Sequence, residues 1–270
     1  MSAIEKYRTR AAAVGSLVCV GLDAEAAKIP ARFGGDVAAF NRWIIDQTAP
    51  YVSAYKPNMA FYEARGVEGW RDLTDTIQYL RRRYPDIMTI CDAKRGDLDS
   101  TSRHYATAIF DTLGFDSVTM HHYLGKDSMA PFLSRKEKGC IILCRTSNPD
   151  AHEIQDLQVN GEPLWAYIAR KAADEWNENQ NVMLVVGATY PEEMRQIRAI
   201  TGDTIPMLVP GIGAQGGAVE AVIEAGLDHS GGGLIISASR SVIYADDPAA
   251  AARELRNQIN DARQKFAGKA

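Results

Sequence analysis

The stretch Asp92-Ala93-Lys94-Arg95-Gly96-Asp97 sets an ammonium between two carboxylates. It follows directly on Ile87-Met88-Thr89-Ile90-Cys91, an apolar run that reads as a buried strand. Strand residues two apart point the same way, so Asp92 and Lys94 are expected to project together from its end. Gly96 lets the chain turn, and Asp97 follows on the loop. A lysine destined for a Schiff base must shed its proton, which burial or a cationic neighbour promotes. Carboxylate neighbours keep it protonated instead. Lys94 therefore reads as a proton donor, or as a cation that stabilises a developing carbanion. Replacement of a substrate carboxylate by a proton fits that layout. A surface ion-pair cluster would contribute little energy, but this motif begins inside a buried strand.

The elements that must position this motif alternate regularly. After a helical segment over 4–13, apolar runs at 17–23, 52–56, 87–91, 117–120, 140–144, 182–186, 206–209 and 234–236 read as strands. Helical patterns at 36–49, 67–84, from Ser100-Thr101, 126–137, 163–178, from Pro191, 218–225 and through about 265 follow them in turn. Asp36 is placed to cap the helix that carries Phe40, Trp43 and Ile44, and Ser100 or Thr101 to cap the one after the motif. Unbroken strand–helix alternation implies a parallel sheet, and eight units at this length imply a (β/α)8 TIM barrel of class α/β, with residues 1–270 as a single domain. The runner-up, a doubly wound open sheet, lacks a GxGxxG fingerprint after its first strand.

In such a barrel function belongs at the C-terminal ends of the strands. Asp23, Lys56, Asp92, Lys94, Asp97, Ser147, Gln215 and Arg240 all fall there. Any one of Asp23, Ser147 or Gln215 is simply a polar loop residue; the whole set at one end of the strands is harder to read so. The loops after strands seven and eight commonly hold phosphate in this architecture. Gly211 and Gly213 allow backbone N–H groups near an anion, and Arg240 adds a fork of donors, which favours a phosphate monoester. His121-His122 is a poor metal pair, because neighbours on a strand point to opposite faces. Asp23 and Asp92 could hold Mg²⁺ through oxygen, but the expectation is that no metal is required.

The chain has 270 residues, 46% hydrophobic and 24% charged, with a net charge of −4. That balance argues against a nucleic-acid partner, which would select a basic stripe. The one basic run, Arg81-Arg82-Arg83, ends a helical pattern, where cations suit the helix dipole. Cys19, Cys91, Cys140 and Cys144 form no CxxC pair and lie in apolar runs, so buried free thiols are expected. No uncharged apolar stretch reaches transmembrane length and Met1-Ser2-Ala3-Ile4-Glu5-Lys6 lacks a signal-peptide core, so no membrane partner and a reduced, cytoplasmic setting are expected.

Asp92-Ala93-Lys94-Arg95-Gly96-Asp97 resembles the Asp-x-Lys-x-x-Asp signature of the orotidine 5′-phosphate decarboxylases in its bacterial form. Gly21-Leu22-Asp23, Lys56-Pro57-Asn58, Arg145-Thr146-Ser147-Asn148-Pro149, Val186-Gly187-Ala188-Thr189, Pro210 to Gly217 and Ser239-Arg240 extend the likeness over about 15–245. The resemblance implies decarboxylation of orotidine 5′-phosphate to UMP, the last step of pyrimidine nucleotide synthesis, with no metal or organic cofactor. It implies that Lys94 gives a proton to C6 of the pyrimidine, flanked by Asp92 and Asp97. It implies a homodimer in which Asp97 and Thr101 reach the neighbouring subunit's site. Asp23 and Lys56 would hold the ribose hydroxyls, Ser147 the pyrimidine, and Gln215 and Arg240 the phosphate. Two positions depart from the family's habit: His121-His122 precedes Tyr123 where Asn-Pro or Ser-Pro is common, and Ser237 stands in place of an Asn. Mg²⁺-dependent sugar-phosphate decarboxylases and hexulose-phosphate synthases share the signature but carry an acid after strand two, where this chain has Lys56. From another class, an inactive barrel that only binds a nucleotide would gain little from a buried charge cluster.

Overall fold

Eight parallel strands close on themselves in chain order: β1 (Val18–Gly21), β2 (Ala54–Lys56), β3 (Met88–Arg95), β4 (Ser117–Met120), β5 (Gly139–Arg145), β6 (Val182–Val186), β7 (Met207–Pro210) and β8 (Leu234–Ala238). The structure is a computed structural model describing residues 1–212 and 216–266, with 216–218 described by backbone alone. Val18 pairs with Ile236 where β1 meets β8, and Cys19 with Ala54 where β1 meets β2. Such strands are covered on both faces, so they read as continuous apolar runs rather than alternating ones. Every residue of β1, β2, β4, β6 and β8 is accordingly buried. The (β/α)8 barrel expected from the alternation is the fold observed.

The helices follow their sequence signals with local corrections. Asp36 caps Val37–Thr48, its Oδ1 accepting from Ala39 N at 2.8 Å, and Arg81, Arg82 and Arg83 form the last turn of Gly66–Arg83. The helix after the Lys94 motif is Asp99–Ala106; neither Ser100 nor Thr101 caps it, because Leu98 holds the N-cap position without a side-chain hydrogen bond. It continues as wider π-type turns from Thr107 to Leu113. The helix expected over 126–137 ends at Leu133, where Pro131 has already removed a donor. A short hairpin, Gln158–Val159 against Glu162–Pro163, and a helical turn at Met59–Glu63 are too brief to show periodicity.

The N-terminal helix Ala3–Val14 lies across one end of the barrel. Ser2 and Glu5 form its capping box, Tyr7 donates its hydroxyl proton to Leu234 O, and Ala3 N reaches Glu137 O at 2.9 Å. Both acceptors stand at strand starts, so the N-terminal end is sealed and the C-terminal end is left as the mouth. No helix among the described residues is long and apolar enough to cross a membrane.

Candidate active site

The ladder between β3 and β4 breaks where the chemistry sits. Cys91 pairs with Val118 and Arg95 with Met120, and the register shifts between those two pairs. The Asp92–Lys94 segment bulges out of the sheet, and Lys94 adopts φ 48°, a left-handed conformation that side chains resist. Asp92 and Lys94 therefore do not share a face through simple strand alternation, as their spacing suggested. They meet because the bulge folds one back on the other, with Lys94 Nζ 2.7 Å from Asp92 Oδ1.

Asp92 is the hub of the mouth. It is buried, and four side-chain donors converge on it. Lys94 Nζ and Thr119 Oγ1, at 2.8 Å, address Oδ1; Lys56 Nζ, at 3.0 Å, and Asn58 Nδ2, at 3.2 Å, address Oδ2. Burial alone would raise its carboxyl, but the ammonium groups of Lys56 and Lys94 outweigh that and hold it down at about 2. Lys56 is buried too. Desolvation pushes its ammonium down, yet the Asp92 and Asp23 carboxylates hold it above the ordinary lysine value. Asp23 reaches the cluster through its Oδ1, which accepts from Asn58 N at 2.9 Å. Lys94, by contrast, has a half-exposed side chain (51%) and presents its charge to the open mouth.

The opposite wall is made of close backbone approaches. A Cβ on Gly187, just past β6, would lie 2.8 Å from Ser147 Cβ and 2.9 Å from Ser147 N. Gly211, just past β7, has φ 95°, and a Cβ there would lie 3.7 Å from Ser147 Oγ. Ser147 thus sits between the ends of β5, β6 and β7. Between β8 and β1, Ser239 Oγ donates to Gly21 O at 3.2 Å and crowds the place where a Gly21 Cβ would stand beside Asp23. Arg240 follows, exposed, its guanidinium without a hydrogen-bond or ion-pair partner among the described residues. Gly213 and Gln215 lie outside the described residues.

Asp97 and Thr101 stand apart from this cluster. Lys94 pairs with Asp92 and not with Asp97, whose Oδ1 accepts from Leu98 N at 2.7 Å. Thr101 is exposed on the helix after the motif, near the exposed Leu98 and Tyr105. His121 packs behind Gly96, where a Cβ would lie 2.8 Å from His121 O. His122 stacks on Trp176 with ring centroids 5.9 Å apart, and burial, with His121 nearby, lowers its pKa.

The roles of three residues escaped the sequence reading. Asn58 was legible as part of Lys56-Pro57-Asn58, but its double role toward Asp23 and Asp92 was not. Thr119 lies in the buried strand Ser117–Met120, where Ser117 is equally buried, and nothing local singles out its hydroxyl. Arg145, buried at the end of β5, joins the loops after β5 and β6: its Nη1 is 3.0 Å from Asp156 Oδ1, its Nη2 3.8 Å from Glu193 Oε1, and its guanidinium lies 3.9 Å over the Tyr190 ring. Its buried Nε has no hydrogen-bond partner among the described residues. A cleft of about 600 Å³ at the sealed end, lined by Arg198, Asp203, Asp228 and His229, is a different matter. Arg198 there spends its donors on the carbonyls of Gly202, Ile205, Gly226 and Gly233, so it ties loops together and holds no charge free for a ligand.

The chain is similar to known proteins over nearly its whole length. Residues 16–255 match the family model described as "Orotidine 5'-phosphate decarboxylase / HUMPS family". The orotidine 5′-phosphate decarboxylase of Cellvibrio japonicus is 48% identical over 97% of this chain and 100% of its own length. That of Ralstonia nicotianae is 45% identical over 92% and 94%. The Leishmania donovani OMP decarboxylase structure superposes with a TM-score of 0.88 at 39% identity, covering 98% of this chain and 99% of that one. A Toxoplasma gondii structure, titled a putative orotidine-monophosphate-decarboxylase, gives 0.91 at 34% identity over 98% and 97%. Barrel, signature and full-length likeness thus converge, and the chain belongs to the orotidine 5′-phosphate decarboxylase / HUMPS family, as a carboxy-lyase.

Proposed function

We propose that this enzyme converts orotidine 5′-phosphate to UMP and CO2 without a metal or organic cofactor, with Lys94 as the proton donor. The observation that carries the reading is the Lys94 ammonium, fixed 2.7 Å from Asp92 yet facing the open mouth. As the bond from C6 to the carboxylate breaks, its electron pair stays on C6. The Lys94 ammonium stabilises that charge and then donates a proton to it, so CO2 leaves and a C6–H bond forms. Asp92, held ionised by Lys56 and Lys94, orients the ammonium and opposes the negative carboxylate of the substrate.

The remaining assignments are those the family likeness implies. Asp23 and Lys56 hold the ribose hydroxyls, and Ser147 contacts the pyrimidine. Arg240 and Gln215 hold the phosphate with backbone from Gly211 and Gly213. Binding energy from that remote phosphate is then available to the step at C6. Lys56 supports the metal-free reading, because a buried ammonium already sits on Asp92 where an acid after β2 would help to hold Mg²⁺. Asp97 and Thr101 serve the neighbouring subunit of a homodimer: both lie off the Asp92 cluster, and exposed Leu98 and Tyr105 beside them offer apolar surface to cover. Four buried free cysteines, Cys19 and Cys144 among them with thiols pushed up to about 12 by burial, suit a reducing cytoplasm.

The test is the ultraviolet absorbance of orotidine 5′-phosphate incubated with purified protein and EDTA. Loss of the orotate chromophore with UMP as product supports the proposal. Activity that appears only with added Mg²⁺ and keto-sugar phosphates moves the chain to the other branch of its family, and no turnover in either assay removes the catalytic reading.

A further inference from the structure

We propose that Thr119 is a positioning residue, whose single hydroxyl fixes Lys94 and Asp92 for proton transfer; this deepens the functional reading above and rests on it. A bulge leaves backbone groups without ladder partners, and in a buried place they must find others. Here Ala93 N and Lys94 N both donate to Thr119 Oγ1, each at 3.0 Å. The hydroxyl sends its own proton to Asp92 Oδ1 at 2.8 Å. That oxygen is the one that holds Lys94 Nζ. One hydroxyl thus uses both its lone pairs and its proton, and it grips Lys94 at both ends, directly at the backbone and through Asp92 at the ammonium.

The geometry makes the grip specific to this residue type. Thr119 is 1% exposed, between the fully buried Val118 and Met120. A β-branched side chain there has little rotamer freedom, and strand pairing with β5 on its other side fixes the backbone, Thr119 facing Ile141. Lys94 needs such a hold because its left-handed backbone is one that a lysine does not choose. Thr119 is too buried to touch a substrate at the mouth, so it acts through Asp92 and Lys94.

Thr119→Val keeps the shape and removes the hydroxyl; Thr119→Ser keeps the hydroxyl and removes a methyl. Steady-state decarboxylation of orotidine 5′-phosphate is expected to lose about 10- to 100-fold in kcat in Thr119→Val, with KM changed less than about 3-fold, since a small displacement of a reacting group costs rate before binding. Thr119→Ser is expected to recover kcat to within about 5-fold of wild type. Amide hydrogen exchange of Ala93 and Lys94 supplies a readout independent of turnover: slow in wild type and Thr119→Ser, faster in Thr119→Val. Unchanged exchange in Thr119→Val, or a Thr119→Ser as slow in turnover as Thr119→Val, overturns the proposal. If wild type itself fails to turn over while the amides respond as described, the functional reading falls and the hydroxyl's hold on the bulge stands. Circular dichroism melts of both variants show whether a loss is one of fold; a Thr119→Val that is unfolded while Thr119→Ser matches wild type in melt and kcat still supports the hydroxyl.

Discussion

Ser147 and Gly187 are in backbone contact just past the neighbouring ends of β5 and β6: a Cβ on Gly187 would meet Ser147 Cβ at 2.8 Å, its N at 2.9 Å and its Cα at 3.0 Å. No other side chain fits between β6 and the loop after β5, so the glycine sets how deep Ser147 sits. Gly187 N also donates to Arg145 O at 2.8 Å, which locks the two loops at that spacing. Gly187→Ala must push Ser147 away rather than bend a flexible tip. Overpacking of this kind costs about 1–3 kcal/mol, and a displaced pyrimidine contact costs about 10- to 100-fold in kcat/KM. Thermal melts and kinetics of Gly187→Ala beside Ser147→Ala check this: if Gly187→Ala is fully active, Ser147 does not depend on that contact.

Lys94→Ala tests the proton donor. The side chain is half exposed and packs little, and Asp92 keeps Lys56 as a counter-charge. Stability is therefore expected to change by less than about 1 kcal/mol, while kcat falls by more than about 10³-fold. The measurement is kcat with orotidine 5′-phosphate alongside a denaturant midpoint. A variant that keeps most of its turnover would sink the assignment.

How far the sequence led can be judged at these same residues. The barrel was legible because strands buried on both faces leave uninterrupted apolar runs, such as Val182–Val186, and because the helices between them carry periodic faces and caps such as Asp36. Asp23, Lys56, Asp92, Lys94, Ser147 and Arg240 were legible as strand-end polar residues. The bulge at Asp92–Lys94 was not, since it depends on a register shift against β4 that no local pattern encodes. The roles of Thr119 and Arg145 stayed hidden for a related reason: each works through partners supplied by other strands or loops, which no pattern local to its own strand encodes. Within one chain Lys94 pairs with Asp92, while the Asp97 carboxylate accepts from Leu98 N.

The charge network makes a prediction for acid stability. Asp92 is held at about 2 against an ordinary 3.8, because Lys56 and Lys94 overcome its desolvation. A carboxyl depressed on folding contributes stability that is full above its unfolded value and is lost as pH falls through its folded one. The depression corresponds to about 2 kcal/mol, present above about pH 4 and lost toward about pH 2. Urea denaturation between pH 5 and 2 should therefore show a steeper acid loss in wild type than in Asp92→Asn, which has no carboxyl to protonate. Equal slopes would mean that Asp92 is not held down. Lys56, raised on folding, adds stability that is present at neutral pH and lost only at alkaline pH above the ordinary lysine range.

Arg240→Ala separates binding from chemistry. The guanidinium is exposed just past β8 with no partner among the described residues, so its removal is expected to leave the melting temperature unchanged. A hydrogen bond to a charged group is worth about 1.5–3 kcal/mol, which corresponds to a rise of about 10- to 100-fold in KM for orotidine 5′-phosphate. Orotidine, which lacks the phosphate, gives the control: wild type and Arg240→Ala should process the nucleoside with equal kcat/KM, because the group that Arg240 addresses is missing from both reactions. If the variant is impaired equally on nucleotide and nucleoside, Arg240 shapes the mouth rather than holding phosphate. If it is impaired on neither, the phosphate is held elsewhere, by backbone at Gly211 and the loop that follows. A selective loss on the nucleotide, with kcat also reduced, would show that phosphate binding energy reaches the step at C6, as expected when remote contacts are realised in the transition state.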